Sequence, residues 1–187
     1  MGCAISGLGL APRQVTETRG EEETLSEEQI SMIKESWKLI QEDIAKVGII
    51  MFVRVISTSF QQSVNVVRCR SVVLFLCSVC RVMSFIEKSV ARLDQLERLD
   101  MLAVELGKSH YRYNAPPKYY GYVGAEFICA VRPILKDKWT PELEKAWKTL
   151  FRYITRLMRQ GYLEEEGAKR SVQVSTKERP DKRNTAL

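Results

Sequence analysis

The sequence has a single histidine, His110, among its 187 residues. That scarcity excludes a His–His metal pair, a two-histidine zinc site and an HExxH protease. Any nucleophilic triad would have to use that one ring. No apolar run approaches the ~20 residues that a membrane-crossing helix needs, so a polytopic membrane protein is also excluded. The five cysteines, Cys3, Cys69, Cys77, Cys80 and Cys129, are odd in number and no secretory signal precedes them. A disulfide framework is therefore not expected, and a reducing compartment is. Cys77-Ser78-Val79-Cys80 has CxxC spacing, but no second pair and no nearby histidine completes a zinc or redox site. Internal repeats are absent. The charge surplus is small: 29 Lys+Arg against 23 Asp+Glu give +6. It suits a membrane surface or an acidic partner. No basic stripe is evident in the sequence, and nucleic acid is not expected as a partner. What is present is the composition of one globular domain with tails, 45% hydrophobic and 28% charged, enough apolar surface to offset chain entropy.

The chain opens Met1-Gly2-Cys3-Ala4-Ile5-Ser6. Removal of Met1 exposes Gly2, and Ser6 fills the hydroxyl position of the M-G-x-x-x-[ST] myristoylation signal. Cys3 offers a thiol for a second, palmitoyl chain. One myristoyl chain gives marginal membrane binding, of order 10⁴ M⁻¹, whereas two hold stably. Gly2 and Cys3 are therefore the expected lipidation sites. Residues 1–24 are expected to form a flexible tether at the cytoplasmic face of the plasma membrane, their polar, Gly- and Pro-containing composition being that of a linker.

Helical periods follow. Ser26-Glu27-Glu28-Gln29 is a capping box. Ile30, Ile33, Trp37, Ile40, Ile44 and Val47 then recur at steps of three and four, one stripe of a helix. A second helix is expected from Gly48, whose small size would let two backbones approach. Leu96, Leu99, Ala103, Leu106 and His110 form another stripe, with Asp94 as its expected cap. Pro116-Pro117 stops that helix and seeds one over 118–135, which Pro133 bends or ends. Thr140-Pro141-Glu142 starts the last helix, with Leu143, Trp147, Leu150, Ile154 and Leu157 in register and Gly161 as its expected terminator. The reading is all-α, with residues 25–163 as the folded domain and 164–187 as a disordered tail.

Residues 56–80 break the pattern. They are rich in β-branched residues, have no cap and no clean helical period, and no acid occurs between Asp43 and Glu87. On propensity they read as strand, in conflict with their neighbours.

An imidazole closing an apolar face is either a satisfied core histidine or an axial ligand to iron in an apolar pocket. The second role needs one neutral nitrogen, a supporting hydrogen bond and an apolar wall such as Leu106 offers one turn earlier. Spacing does not decide between the two.

Several segments carry a resemblance that does. They are Met1 to Ser6, Leu25-Ser26-Glu27-Glu28-Gln29 leading to Ile33-Lys34-Glu35-Ser36-Trp37, Arg81-Val82-Met83-Ser84-Phe85-Ile86, Leu106-Gly107-Lys108-Ser109-His110-Tyr111, Tyr119-Tyr120-Gly121-Tyr122-Val123-Gly124, and Trp147-Lys148-Thr149-Leu150-Phe151. Over residues 1 to about 54 and 81 to about 163 the chain resembles the globin family, and within it the acylated, membrane-associated globins. The resemblance implies a globin fold, incomplete or distorted at 55–80, that holds haem b. It makes His110 the proximal iron ligand and Leu106 part of the proximal wall. It places Val82 over the distal face and Ile86 one turn further on the same pocket; Arg81, which precedes Val82, either reaches a haem propionate or stands on a solvated helix face. Tyr111, Tyr113, Tyr119, Tyr120 and Tyr122 would pack the helix junction and shield one haem edge. Oxygen or other small gaseous ligands would bind, in redox or sensing chemistry rather than oxygen storage, with a reductase as partner; haem-dependent nitrite reduction or nitric-oxide chemistry is open.

The sequence also departs from the family. The distal position, one turn before Val82, holds Ser78 and not histidine. The wedge phenylalanine of the family has no recognisable counterpart, Phe60 and Phe75 being the candidates. Such a segment is what alternative splicing, intron read-through or an imperfect gene model would leave. With one imidazole the iron would be five-coordinate, water-ligated, or capped by sulfur from Cys77 or Cys80, where members of that branch place two imidazoles. Loss of the wedge and of the distal donor weakens both haem and dioxygen retention, so weak haem binding or none is expected of the isolated chain. The rival reading is an acylated helical interaction protein, or a non-functional variant, without cofactor.

Overall fold

The computed structural model describes residues 24–61 and 72–177. Among them it holds six α-helices, two single-turn 3₁₀ segments and no strand. The helices are α1 (Glu27–Glu42), α2 (Ile44–Gln61), α3 (Val72–Val90), α4 (Leu96–Arg112), α5 (Tyr120–Leu135) and α6 (Pro141–Lys177). No helix among the described residues is long and apolar enough to cross a membrane.

The capping box at α1 forms in full. Ser26 Oγ accepts the Gln29 N–H at 3.2 Å, and Gln29 Oε1 accepts the Ser26 N–H at 3.1 Å, which satisfies two orphan donors. The stripe buries Ile33, Trp37 and Ile40, then breaks at Asp43, whose N–H turns back to the Ile40 and Gln41 carbonyls. Ile44 and Val47 therefore belong to α2, which begins four residues before the expected Gly48. The three-four spacing runs on through the turn, so periodicity could not mark it.

Residues 56–61 and 72–80 are helical, against the strand reading. β-Branched residues cost a helix only tenths of a kcal/mol each, about 0.7 at most. That is less than burial of an apolar face returns. Val47 and Met51 on α2, and Met83, Ile86 and Val90 on α3, are in the core. Residues 62–71 of the same stretch lie outside the described residues.

The core is aromatic at its centre. Trp147 and Phe127 are fully buried with ring centroids 4.9 Å apart, and Trp37 and Phe151 pack around them. The Trp147 indole donates to Ser36 Oγ at 3.1 Å, and that hydroxyl donates to the Ile33 carbonyl at 3.0 Å. Three helices, α1, α5 and α6, are thereby locked with no buried polar side-chain atom unpaired among the described residues.

The tightest crossing is α4 on α6. A Cβ on Gly107 would sit 2.0 Å from the Met158 carbonyl oxygen, and one on Gly161 would sit 2.0 Å from that of Val104. Gly161 thus serves backbone contact and does not end the helix. Residues 164–177, read from sequence as disordered tail, continue α6. Lys108–Glu164 at 3.4 Å and Arg112–Glu165 at 3.1 Å tie them to α4, and Arg170–Glu166 at 3.1 Å supports them along the helix. Asp94 does not cap α4 either. It pairs with Lys34 of α1, and Gln95 takes the N-cap position without a side-chain bond. Thr140 caps α6 as expected, its Oγ1 accepting the Leu143 N–H at 3.2 Å. Pro133 is carried inside α5 two residues before its end.

Candidate functional site

His110 stands in the last turn of α4. Its Nδ1 lies 2.8 Å from the Leu106 carbonyl oxygen. A carbonyl only accepts, so Nδ1 is the donor, and in the neutral ring that tautomer leaves the lone pair on Nε2. The half-buried ring meets Tyr120 edge-on, with centroids 5.2 Å apart and planes at 76°. Tyr120 is fixed in turn by donating to the Ala115 carbonyl at 3.2 Å. Burial pushes its phenol up to about 12, which keeps it a neutral donor. An imidazole oriented on one nitrogen by a backbone carbonyl is the arrangement in which metal-ligating histidines are commonly held. No cluster of three or more His, Cys, Asp or Glu offers another metal site among the described residues.

Beside this helix an open cleft of about 530 Å³ separates α3 from α4, a size in the range of small-molecule sites. Phe85 of α3 faces Leu102 and Leu106 of α4 across it, and Arg81, Lys88 and Glu105 stand in its lining with Cys80, Ser84 and Ser109. Apolar walls with two exposed cations and one exposed acid in the lining suit a largely apolar ligand that carries polar or anionic groups at its edge.

The structure brings together only part of the expected set. Leu106 and Arg81 line the cleft; His110 itself does not, although its neighbour Ser109 does. Val82 is half-buried against the core and is not in that lining. Ile86, expected on the pocket, is in the core at 2% exposure. Phe85 takes the cleft position instead: of the two residues one turn past Val82, the i+3 residue points there and the i+4 residue turns inward. Ser78 is on the α3 backbone, and its side chain, like those of Cys77 and Phe75, lies outside the described residues, as do Gly2 and Cys3. Phe60 falls in α2, also without a described side chain. The tyrosines divide. Tyr111 packs edge-on to Tyr162 at 5.1 Å and Tyr120 packs on His110, whereas Tyr113 and Tyr122 are exposed. The sequence reading missed Leu102 and the clasp of Tyr120 on His110; Leu102 falls off the stripe that ends in His110, and nothing in spacing marks an edge-on contact between two helices.

Comparison with known proteins agrees with this architecture. Residues 79–158 match the globin family. The solved structure of a hexacoordinated haem protein from an anhydrobiotic tardigrade superposes with a TM-score of 0.62, at 15% identity, over 74% of this chain and 95% of that one. The chain has the globin fold. Among curated proteins it is similar to neuroglobin of Danio rerio, 28% identical over 149 residues, and to neuroglobin-1 of Oncorhynchus mykiss, 27% identical over the same length. Each alignment covers 75% of this chain and 94% of the relative.

Proposed function

We propose that this globin binds haem b through His110 and takes small gaseous ligands at the iron, in redox or sensing chemistry at a membrane. The observation that carries the reading is the Nδ1 bond of His110 to the Leu106 carbonyl, which leaves Nε2 as a neutral donor on the helix that walls the cleft. The lining of the cleft suits the group, and His110 stands beside it on the same helix. Leu102, Leu106 and Phe85 supply an apolar surface for a porphyrin, and the exposed Arg81 and Lys88 are placed to meet its carboxylates. The globin match at residues 79–158 spans His110 and Leu106, and the tardigrade neighbour is a haem protein. When bound, the iron supplies an open or weakly held site for a diatomic ligand or nitrite. The chain's part is to hold one imidazole in one tautomer and to keep one face of the pocket apolar. It has no second histidine to close the other face, so the bis-histidine state is not available within one chain. A reductase would provide electrons.

The finer reading is a globin of the globin X type. Its support is the Met1 to Ser6 signal, with Gly2 and Cys3 as acylation sites and the cytoplasmic face of the plasma membrane as location. Metabolic labelling with alkynyl myristate and palmitate tests it: Gly2→Ala abolishes the first label and Cys3→Ser the second. Absorption spectroscopy of the chain with added haemin, against His110→Ala, tests the haem reading.

A further inference from the structure

One exposed feature belongs to neither the cleft nor the core. From Lys145 to Leu163 α6 contains no acidic residue and five cations: Lys145, Lys148, Arg152, Arg156 and Arg159. The sequence interleaves them with Trp147, Phe151 and Tyr153, so no stripe is evident when the chain is read linearly. At 100° per residue all five fall within about 80° of the helix circumference, and they span about 21 Å of its length. All five are exposed. The opposite side of the same helix buries Trp147, Leu150, Ile154 and Met158. Among the described residues no carboxylate pairs with Lys145, Arg156 or Arg159. Lys148 shares Glu144 with Arg132. At the head of the ridge a groove of about 500 Å³ sets Trp139, Pro141 and Glu144 beside Lys145, Lys148 and Arg152. The Trp139 indole donates to Glu144 at 3.1 Å.

We propose that this face of α6 is a docking surface for the anionic headgroups of a lipid bilayer. Charge complementarity selects an anionic partner, and a cation row headed by an indole is the chemistry of a bilayer interface. The choice of a bilayer over another polyanion rests on the acyl-anchor reading above. The thioester expected at Cys3 is reversible, and when it is absent the remaining myristoyl chain holds stably only with a polybasic patch beside it. The ridge is that patch. Contact through it would turn the exposed side of α6 to the membrane and leave the α4-facing side of the helix to the fold.

The test uses the full, unacylated chain and vesicles of phosphatidylcholine with about a third phosphatidylserine, or phosphatidylcholine alone. The chain should sediment with the anionic vesicles only, and less so as salt rises. Arg152→Gln/Arg156→Gln/Arg159→Gln should lower the affinity on the order of a hundredfold, at about fivefold per cation. Lys46→Gln/Arg98→Gln/Lys118→Gln removes the same net charge from other exposed positions and should keep most of the binding. Should the triple variant lose its helical circular dichroism, Lys145→Gln/Arg159→Gln serves in its place. Absence of anionic-vesicle binding at low salt, equal loss in the two triple variants, or tighter ridge-dependent binding to single-stranded RNA than to the vesicles would each overturn the proposal. The acylated chain compared with Gly2→Ala reads the anchor separately, so failure of the ridge and failure of the anchor give different results.

Discussion

Gly107→Ala probes the crossing that positions the His110 helix. Gly107 is three residues before His110, and its missing Cβ is what lets α4 lie on α6. The added methyl would fall 2.0 Å from the Met158 oxygen and 2.7 Å from its carbonyl carbon. Both are backbone atoms, so no rotamer change relieves the clash and one helix must move. Overpacking costs about 1–3 kcal/mol and reaches the upper end where the neighbour is rigid. Alanine returns about 1 kcal/mol through helix propensity and reduced unfolded-state entropy. The expected net loss is about 2 kcal/mol, a fall in Tm of roughly 4–8 °C for a domain of this size. Gly167→Ala is the control, because nothing lies within 4 Å of a Cβ there. It should gain up to about 1 kcal/mol. Urea unfolding followed by circular dichroism reads both variants. If Gly107→Ala proved as stable as Gly167→Ala, the α4–α6 contact would not be as close as described, and the argument for a fixed His110 would lose its base.

Three further outcomes follow from the same geometry. Ser36→Ala removes the acceptor of the fully buried Trp147 N–H, and an unpaired buried donor should cost about 1–3 kcal/mol in the same urea assay. Bonds from Lys148, Trp139 and Arg132 hold the Glu144 carboxyl down at about 2, against an ordinary 4.5. Its folded value is depressed, so its contribution is complete above pH 4.5 and is lost as pH falls toward 2; Glu144→Gln should flatten the stability profile in that window. Burial, with help from the bond to Asp100, raises the Tyr153 phenol to about 12 from 10. A raised folded value favours the neutral form, so the stability present below pH 10 should fade as pH climbs toward 12, and Tyr153→Phe should remove that slope in alkaline melts.

Much of the frame was legible because local chemistry and tertiary packing agree there. The capping box at Ser26, the hydroxyl and proline that open α6, and the stripe that ends in His110 are all visible as spacing. The failures share a cause: a local signal was outweighed by contacts distant in sequence. The β-branched run at 56–80 is helical where it is described because its neighbours bury an apolar face. Gly161 reads as a stop but is a contact point for Val104. Asp94 reads as a cap but answers Lys34, far away in the chain. Ile86 and Phe85 differ by one residue and trade places between core and cleft, a distinction of 100° that spacing alone does not make. The ridge on α6 escaped notice because aromatic core residues separate its cations in the sequence while the helix lines them up.

The central claim is the single imidazole on iron, and haemin titration into the folded full-length chain measures it most directly. Titrated haemin should bind weakly and shift its Soret band to that of a protein complex whose spectrum is not the bis-histidine type, and His110→Ala should abolish the shift. Unchanged haemin absorption, a bis-histidine spectrum, or an undiminished shift in His110→Ala would contradict the account.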